Sequence, residues 1–414
     1  MQQPSWTVTR LAWSDRELGT IEMPKRPLVL REGFGSGLAT RPGNPSGTVW
    51  AVCDRGPNFK VSSARKLYGA EGLEELGLSD GAKIMPRTDI GPALAELRVG
   101  TDRVELVRTI RLSIAGGKPL PGVPVPAGEG AECEDAFALD GSPIPPDPAG
   151  ADTEGIAALA DGGFWLGDEY GPSLLKVDAQ GRVALRLVPE GEEHRLGGAG
   201  YPVVGALPAI AARRRLNRGF EALSLSGDGR RLHLMFQSPL SHPDESAHEQ
   251  ARHVRLWTLD AESGAAEAQY LYPLDPADSF RRDCAKGEFE SRDVKVGEMT
   301  LCGERTLLVL ERGSETSKIY SVDLDPERAL PPKHWRVETR PTIEELSATG
   351  DLKLPVLTKR LLFNSDDAPE VAADLEGMTL LSATELLLVS DNDFGVEGAE
   401  TSFWRIAFDE PIGG

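Results

Sequence analysis

Carboxylates recur in this sequence at fixed places within a repeated pattern. Glu154, Glu221, Glu298 and Glu376 each open a short apolar strand. Asp54, Asp168, Glu311 and Asp391 each close the strand that follows a turn, and Gln237 holds that place in one copy. In an antiparallel hairpin the start of the first strand lies beside the end of the second. Glu154 is therefore expected near Asp168, Glu298 near Glu311, and Glu376 near Asp391. Gathered at one mouth, such carboxylates would repel one another and raise each other's pKa, a strain relieved by protons or by a cation. Hard oxygen donors without thiolates or clustered imidazoles suit Ca²⁺ or Mg²⁺. Arg55 and Arg312 directly follow two of the acids. They are placed to pair with those acids or to face an anionic substrate.

The elements that must hold these residues form a repeat. The clearest copy is DTEGIAALADGGFWLGDEYGP, followed by GFEALSLSGDGRRLHLMFQSP, GEMTLCGERTLLVLERG and DLEGMTLLSATELLLVSDNDFG. A variant, GSGLATRPGNPSGTVWAVCDRGP, comes first in the chain and lacks the opening Glu. Each copy is followed by a second apolar hairpin, so one repeat is about four strands. Four antiparallel strands per repeat predict an all-β fold, a β-propeller. The expectation is a single domain over residues 1–414 with five blades. RPLVLREG and VLTKRLLFN leave six as the alternative. The last copy supplies only three strands, and WTVTRLAW near the N-terminus is expected to add the fourth and close the ring, which removes open sheet edges. Residues 113–151, rich in Pro and Gly, predict a long surface loop over one face.

A carboxylate at a strand end is, taken alone, most often a solvated turn residue, and ties from blade to blade through backbone amides are a further structural reading. Recurrence at the same place in the repeat favours a functional ring. Trp165, Tyr170, Trp257, Phe394 and Trp404 are expected to pack between blades. Cys53 and Cys302 read as buried thiols, while Cys133 and Cys284 sit in polar loops where one disulfide is open.

The chain carries 45 basic and 65 acidic residues among 414, a net charge of −20. That balance excludes nucleic acid and anionic membrane as partners, since both require a basic face. No apolar run reaches the ~18–20 residues of a membrane span, and Met1 to Arg10 has no basic segment followed by an apolar one. Other catalytic motifs are missing. There is no G-x-S-x-G elbow, no G-x-x-x-x-G-K-[ST] loop, and HEQARH spaces its histidines five apart rather than four. His242, His248 and His253 are left as candidate bases near the mouth.

CDRGPN at 53–58, DTEGIA at 152–157, GDEYGP at 167–172, GFEAL at 219–223, DLEGM at 374–378 and SDNDF at 390–394 together resemble the phytase-like propellers described as having the esterase-like activity of phytase. More distantly, an acid-lined channel with calcium is similar to the paraoxonase and gluconolactonase group. The resemblance implies a β-propeller, hydrolysis of phosphate or carboxylic esters, and a periplasmic or secreted location. The function expected is a metal-dependent hydrolase of small phosphate esters, phosphotriesters included. The alternatives are a lactonase or arylesterase with the same metal, and a non-catalytic propeller tied by the ion. Glu154, Glu221, Glu298 and Glu376 are the expected ligands of Ca²⁺, or of Mg²⁺ or another divalent ion, with Asp391 the fifth. Asp54, Asp168 or Glu311 would activate water or act as nucleophile, and Arg55 and Arg312 would stabilise the anionic transition state.

Overall fold

In the computed structural model, which describes residues 4–77, 81–128 and 133–413, the chain is all-β with a few short helices. Its strands form five principal antiparallel sheets. Sheet one orders Gly37–Ala39, Thr48–Val52, Ala93–Val99 and Val104–Arg111. Sheet two orders Thr153–Ala158, Phe164–Asp168, Ser173–Val177 and Val183–Pro189, with Val203–Leu207 added parallel at its edge. Sheet three runs Phe220–Leu225, Arg231–Phe236, His253–Asp260 and Ala266–Pro273. Sheet four runs Lys295–Cys302, Thr306–Arg312, Ser317–Asp323 and Lys359–Asn364. Sheet five runs Leu375–Leu380, Glu385–Ser390 and Phe403–Phe408, and its outer strand is the N-terminal Trp6–Leu11. That strand pairs with Phe403–Phe408 from Trp6 opposite Phe408 to Leu11 opposite Phe403.

The first strands of successive sheets pack side by side, and the first strand of sheet five also lies beside that of sheet one. RPLVLREG belongs to a separate two-stranded ribbon, Glu17–Ile21 with Leu28–Arg31, and VLTKRLLFN supplies the outer strand of sheet four.

This arrangement follows from strands that are apolar on both faces. In Thr48–Val52, Trp50 and Val52 pack with Ile156, Phe164 and Leu166 of sheet two, while Val49 and Ala51 pack with Leu387, Val389 and Phe403 of sheet five. Successive side chains point to opposite faces. A continuous run such as TVWAV or ELLLV thus fills two inter-sheet cores at once. Trp165 and Trp257 lie in the core shared by sheets two, three and four, and Trp404 in that between four and five. All four cysteines are free thiols, Cys53 and Cys302 buried.

The segment 113–151 does not lie wholly on the surface. Among its described residues, Val123, Val125 and Ala136 are buried against Met85, Tyr170 and Val188, and Ala136–Phe137 pairs parallel with Lys83–Ile84. Residues 129–132 of that segment lie outside the described residues.

Candidate functional site

The first hairpins of sheets two to five share one irregularity. Their register slips between Thr153 and Ile156, Phe220 and Ala222, Val296 and Glu298, and Leu375 and Gly377. Each slip is a β-bulge, which leaves one residue unpaired and re-aims its side chain. In sheets two, three and five the bulge contains Glu154, Glu221 or Glu376. In sheet four the unpaired residue is Gly297, and Glu298 comes one position later.

Register also fixes the hairpin ends. Thr153 is opposite Asp168, Val296 opposite Glu311, and Leu375 opposite Ser390. The residues equivalent to Asp391 are therefore Glu169 and Arg312, with Asp54 and Gln237 at the same place in sheets one and three. Asp168 and Glu311 lie one residue earlier, and a shift of one residue turns a strand side chain to the other face.

The consequences are visible in the contacts. Asp168 is fully buried and saturated: it pairs with the buried Arg186 and accepts from Asp152 N at 2.8 Å and Ser173 Oγ at 2.8 Å. Glu311 accepts from Tyr272 OH at 2.7 Å, Asp275 N at 2.7 Å and Lys359 Nζ at 2.6 Å. Both are ties within and between sheets rather than mouth residues. Glu298, also fully buried, accepts from the main-chain amides of Met299 at 2.9 Å and Leu38 at 3.3 Å, the second reaching the first strand of sheet one.

What the fold brings together is Asp54, Asp152 and Glu154. Each offers a carboxylate oxygen within 4.8 Å of the other two, and among the described residues they are the group of acidic and imidazole side chains spaced to hold a metal ion. Burial raises the Asp54 pKa well above the usual carboxylate range, and the neighbouring Asp152 raises it further. Glu154 is pushed up likewise by burial, then by Asp152 and Glu221. Asp152 is pushed to about 7 by burial, although Arg55 opposes the shift. Arg55 donates through its backbone N to Asp152 Oδ1 at 3.1 Å, its Nη1 lies 3.1 Å from Asp152 Oδ2 and 2.9 Å from Glu134 Oε2, and its guanidinium sits over the Tyr170 ring. Arg55 thus orients the cluster rather than standing free, and Tyr170 serves this site rather than an inter-sheet core.

Beside the cluster lie Glu221, Glu376 and Asp391. Glu221 is 2% exposed, takes a hydrogen bond from Gln237, and leaves its Oε2 buried without a partner. Arg312 pairs with Glu376, donates to Asp374 at 2.7 Å and lies 4.0 Å from Glu221 Oε1. Burial raises the pKa of Glu376 to about 7 against the pull of Arg312. Asp391 is also raised well above its usual value, by burial and then by Glu376. Among the described residues, the non-glycine residues with left-handed backbone are Asn217, Asp374, Asp393 and Phe394. Asn217 donates to Glu134 Oε1 at 2.9 Å, Asp374 meets Arg312, and Asp393 N donates to Asp391 Oδ2 at 3.3 Å. Backbone strain of this kind, of order 1–3 kcal/mol per residue, persists where surrounding contacts enforce it.

Sequence reasoning missed Asp152, Glu169 and Glu134. The repeat did carry a signal for Asp152, since DTEG and DLEG both place Asp two residues before Glu. For Glu169 the signal was the register, which sequence does not print. For Glu134, inside the Pro/Gly-rich segment, there was none. Among the described residues, no histidine side chain bonds a carboxylate of the cluster: His253 Nδ1 meets Ser347 Oγ at 2.7 Å, His242 Nε2 meets Val337 O at 3.0 Å and His248 Nδ1 meets Pro239 O at 2.7 Å. A separate cavity of about 340 Å³ lies among Leu38, Ile156, Leu223 and Met299, with no carboxylate in its lining.

Hard oxygens from three crowded residues, Asp152 and Glu154 buried and Asp54 half-buried, fit a divalent cation in their donor chemistry. No helix among the described residues is long and apolar enough to cross a membrane. An uncharacterized secreted protein of Arthroderma benhamiae is 28% identical over 307 residues, covering 64% of this chain and 56% of that one, so the chain spans about half the length of this curated relative. A luciferin-regenerating enzyme is similar at 11% identity and a TM-score of 0.39, covering 99% of this chain and 98% of that one. A calcium-binding protein, regucalcin, from Agrobacterium tumefaciens is similar at 12% identity and a TM-score of 0.34, covering 92% and 94%. Residues 31–394 match the family described as phytase-like, esterase-like activity of phytase, and the chain belongs to that family.

Proposed function

We propose that the protein is a divalent-metal-dependent hydrolase of phosphate esters working at the acid-lined mouth. The observation that carries this reading is the convergence of half-buried Asp54 with buried Asp152 and Glu154 within 4.8 Å of one another, in a chain of a family described by esterase-like activity. These three would hold the ion, Ca²⁺ in preference to Mg²⁺ because a set with several ligands from separate loops tolerates irregular geometry. Glu376 and Asp391 would stand at the edge of that set. Glu298 would be a main-chain tie.

Bound there, the cation supplies Lewis-acid polarisation of a phosphoryl oxygen. The rest falls to side chains. Glu221 would take the proton of the attacking water at its unpartnered Oε2 as the new P–O bond forms, and pass it to the leaving oxygen as the old P–O bond breaks, so that an alcohol departs. Arg55 would hold Asp152 in place, and Arg312 would hold Glu376 while adding positive charge near the developing anion. Asp168 and Glu311 would act only on the scaffold.

In the same reading the molecule is a single propeller of five blades. The pairing of Trp6–Leu11 with Phe403–Phe408 and the adjacency of the first strands of sheets five and one support closure of the ring. A secreted or periplasmic location is proposed from the similarity to the secreted fungal protein alone. The small-molecule substrate, without nucleic acid or membrane, is proposed from the charge balance.

The deciding experiment is turnover of matched aryl phosphate mono-, di- and triesters and aryl carboxylic esters, after chelation and after return of Ca²⁺ or Mg²⁺. Loss of phosphate ester hydrolysis on chelation and recovery with the ion is the expected result. Turnover of carboxylic esters alone would replace it with the lactonase or arylesterase reading. Thermal stabilisation by the ion with no turnover would leave a structural metal.

A further inference from the structure

The mouth is polarised, and the reason is the sequence of sheet four. At the bulge position where sheets two, three and five place Glu, sheet four has Gly297. At the hairpin-end position where sheets one, two and five place an acid, it has Arg312. Directly opposite Arg312 across the two strands stands Lys295. Like charges facing each other in an antiparallel pair destabilise it, so this arrangement costs stability unless something else uses it.

Arg312 has its counter-charges in Glu376 and Asp374. Lys295 makes no hydrogen bond or close ion pair of its own with a described residue, and the same Glu376 and Asp374 act on it only at longer range. Arg218, two residues before the first strand of sheet three, is in the same position, and its Nη1 is buried without a partner. The first strands of sheets three and four pack against each other. Both groups therefore share one sector of the mouth with Arg312, close enough that the three cations act on one another, beside Glu221 of sheet three and Glu376 of sheet five. A buried donor without an acceptor costs roughly 1–3 kcal/mol.

We propose that Arg218 and Lys295, with Arg312 between them and Glu376, form an anion pocket that takes the non-bridging oxygens of the substrate's phosphoryl group. Three cationic groups suit a tetrahedral oxyanion better than a planar carboxylate. The pocket rests on the phosphate ester reading above and adds to it the residues that select a phosphoryl substrate. It is independent of the metal ligands, since neither Arg218 nor Lys295 can bind a cation.

The test uses inorganic phosphate as the probe, titrated calorimetrically into the full chain in Mg²⁺ and separately in chelator. Arg218→Met and Lys295→Met should each weaken phosphate binding at least tenfold in the condition where the wild type binds, about 1.4 kcal/mol. Arg218→Lys and Lys295→Arg, which keep the charge, should stay within about threefold and so control for misfolding. Ca²⁺ affinity of all four variants should stay within twofold. Phosphate binding equal to wild type in both Met variants would overturn the pocket, as would a wild type that binds no phosphate in either condition or binds acetate as well as phosphate. If the pocket binds phosphate as stated but no phosphate ester is turned over, the pocket stands and the hydrolase reading fails. If esters are turned over while the Met variants bind phosphate normally, the reverse holds.

Discussion

Glu311 and Arg312 are consecutive residues that serve opposite faces of one strand. The Glu311 carboxylate is held by Lys359 Nζ at 2.6 Å and Tyr272 OH at 2.7 Å, between sheets, whereas the Arg312 guanidinium reaches Asp374 at 2.7 Å and pairs with Glu376 at the mouth. The same division separates Asp168, locked to Arg186, from Glu169. The alternation of a pleated strand is the cause.

Glu311→Gln therefore tests scaffold against site. Breaking a buried, hydrogen-bonded ion pair costs about 3–5 kcal/mol. Urea denaturation should show a loss of that order, while Ca²⁺ affinity measured by calorimetry stays within twofold of wild type. A tenfold fall in metal affinity without a stability change would return Glu311 to the mouth.

Substitution within the cluster should do the opposite. Asp152→Asn or Glu154→Gln removes one charge and keeps the shape. Each is expected to weaken Ca²⁺ binding at least tenfold and to lower kcat/KM by a similar factor, with excess ion restoring part of the rate. Because Glu154→Gln relieves carboxylate crowding without breaking an ion pair, its metal-free form should gain rather than lose thermal stability, whereas Asp152→Asn also gives up the pair with Arg55. A lowered melting temperature of Glu154→Gln in chelator would contradict that electrostatic account.

Glu298→Gln separates it from its neighbours. Glu298 binds main-chain amides of Met299 and Leu38, so its loss should register as stability. Leaving these two buried amides with a weaker acceptor should cost roughly 1–3 kcal/mol, read as a shifted denaturation midpoint. Metal content after dialysis should equal that of wild type.

Asp275 supplies a pH dependence. Burial raises its pKa, but Lys318 and Lys359 outweigh burial and hold it at about 2. An unfolded Asp titrates near ~3.9. The folded value is depressed, so the stabilising contribution is fully present above the unfolded value and is lost as pH falls through about 2. The stability gap between wild type and Asp275→Asn should be constant above about pH 5 and should shrink between pH 4 and the lowest pH the fold survives. A gap that grows on acidification would refute the assignment.

The order of strands, the apolar runs buried on both faces and the recurrence of acids at hairpin ends were all legible in the chain, because they depend on local periodicity and on turn residues. Glu154, Glu221 and Glu376 followed from that pattern, and so did Asp54 and Asp391, whose hairpins end where the run of apolar residues ends. The choice between Asp168 and Glu169, or between Glu311 and Arg312, did not. It turns on the bulges, where a single unpaired residue re-aims everything beside it, and a bulge has no signature in one strand read alone. The order GE in place of EG was enough to take Glu298 from the mouth to the backbone of sheet one. Glu134 was beyond reach of any local rule, since a segment distant from Arg55 in sequence is carried to it by tertiary packing alone. The sequence determined how many acids the fold had to place. Only the register of paired strands decided which of them share a site, because a side chain's face is a property of the pair and not of the strand.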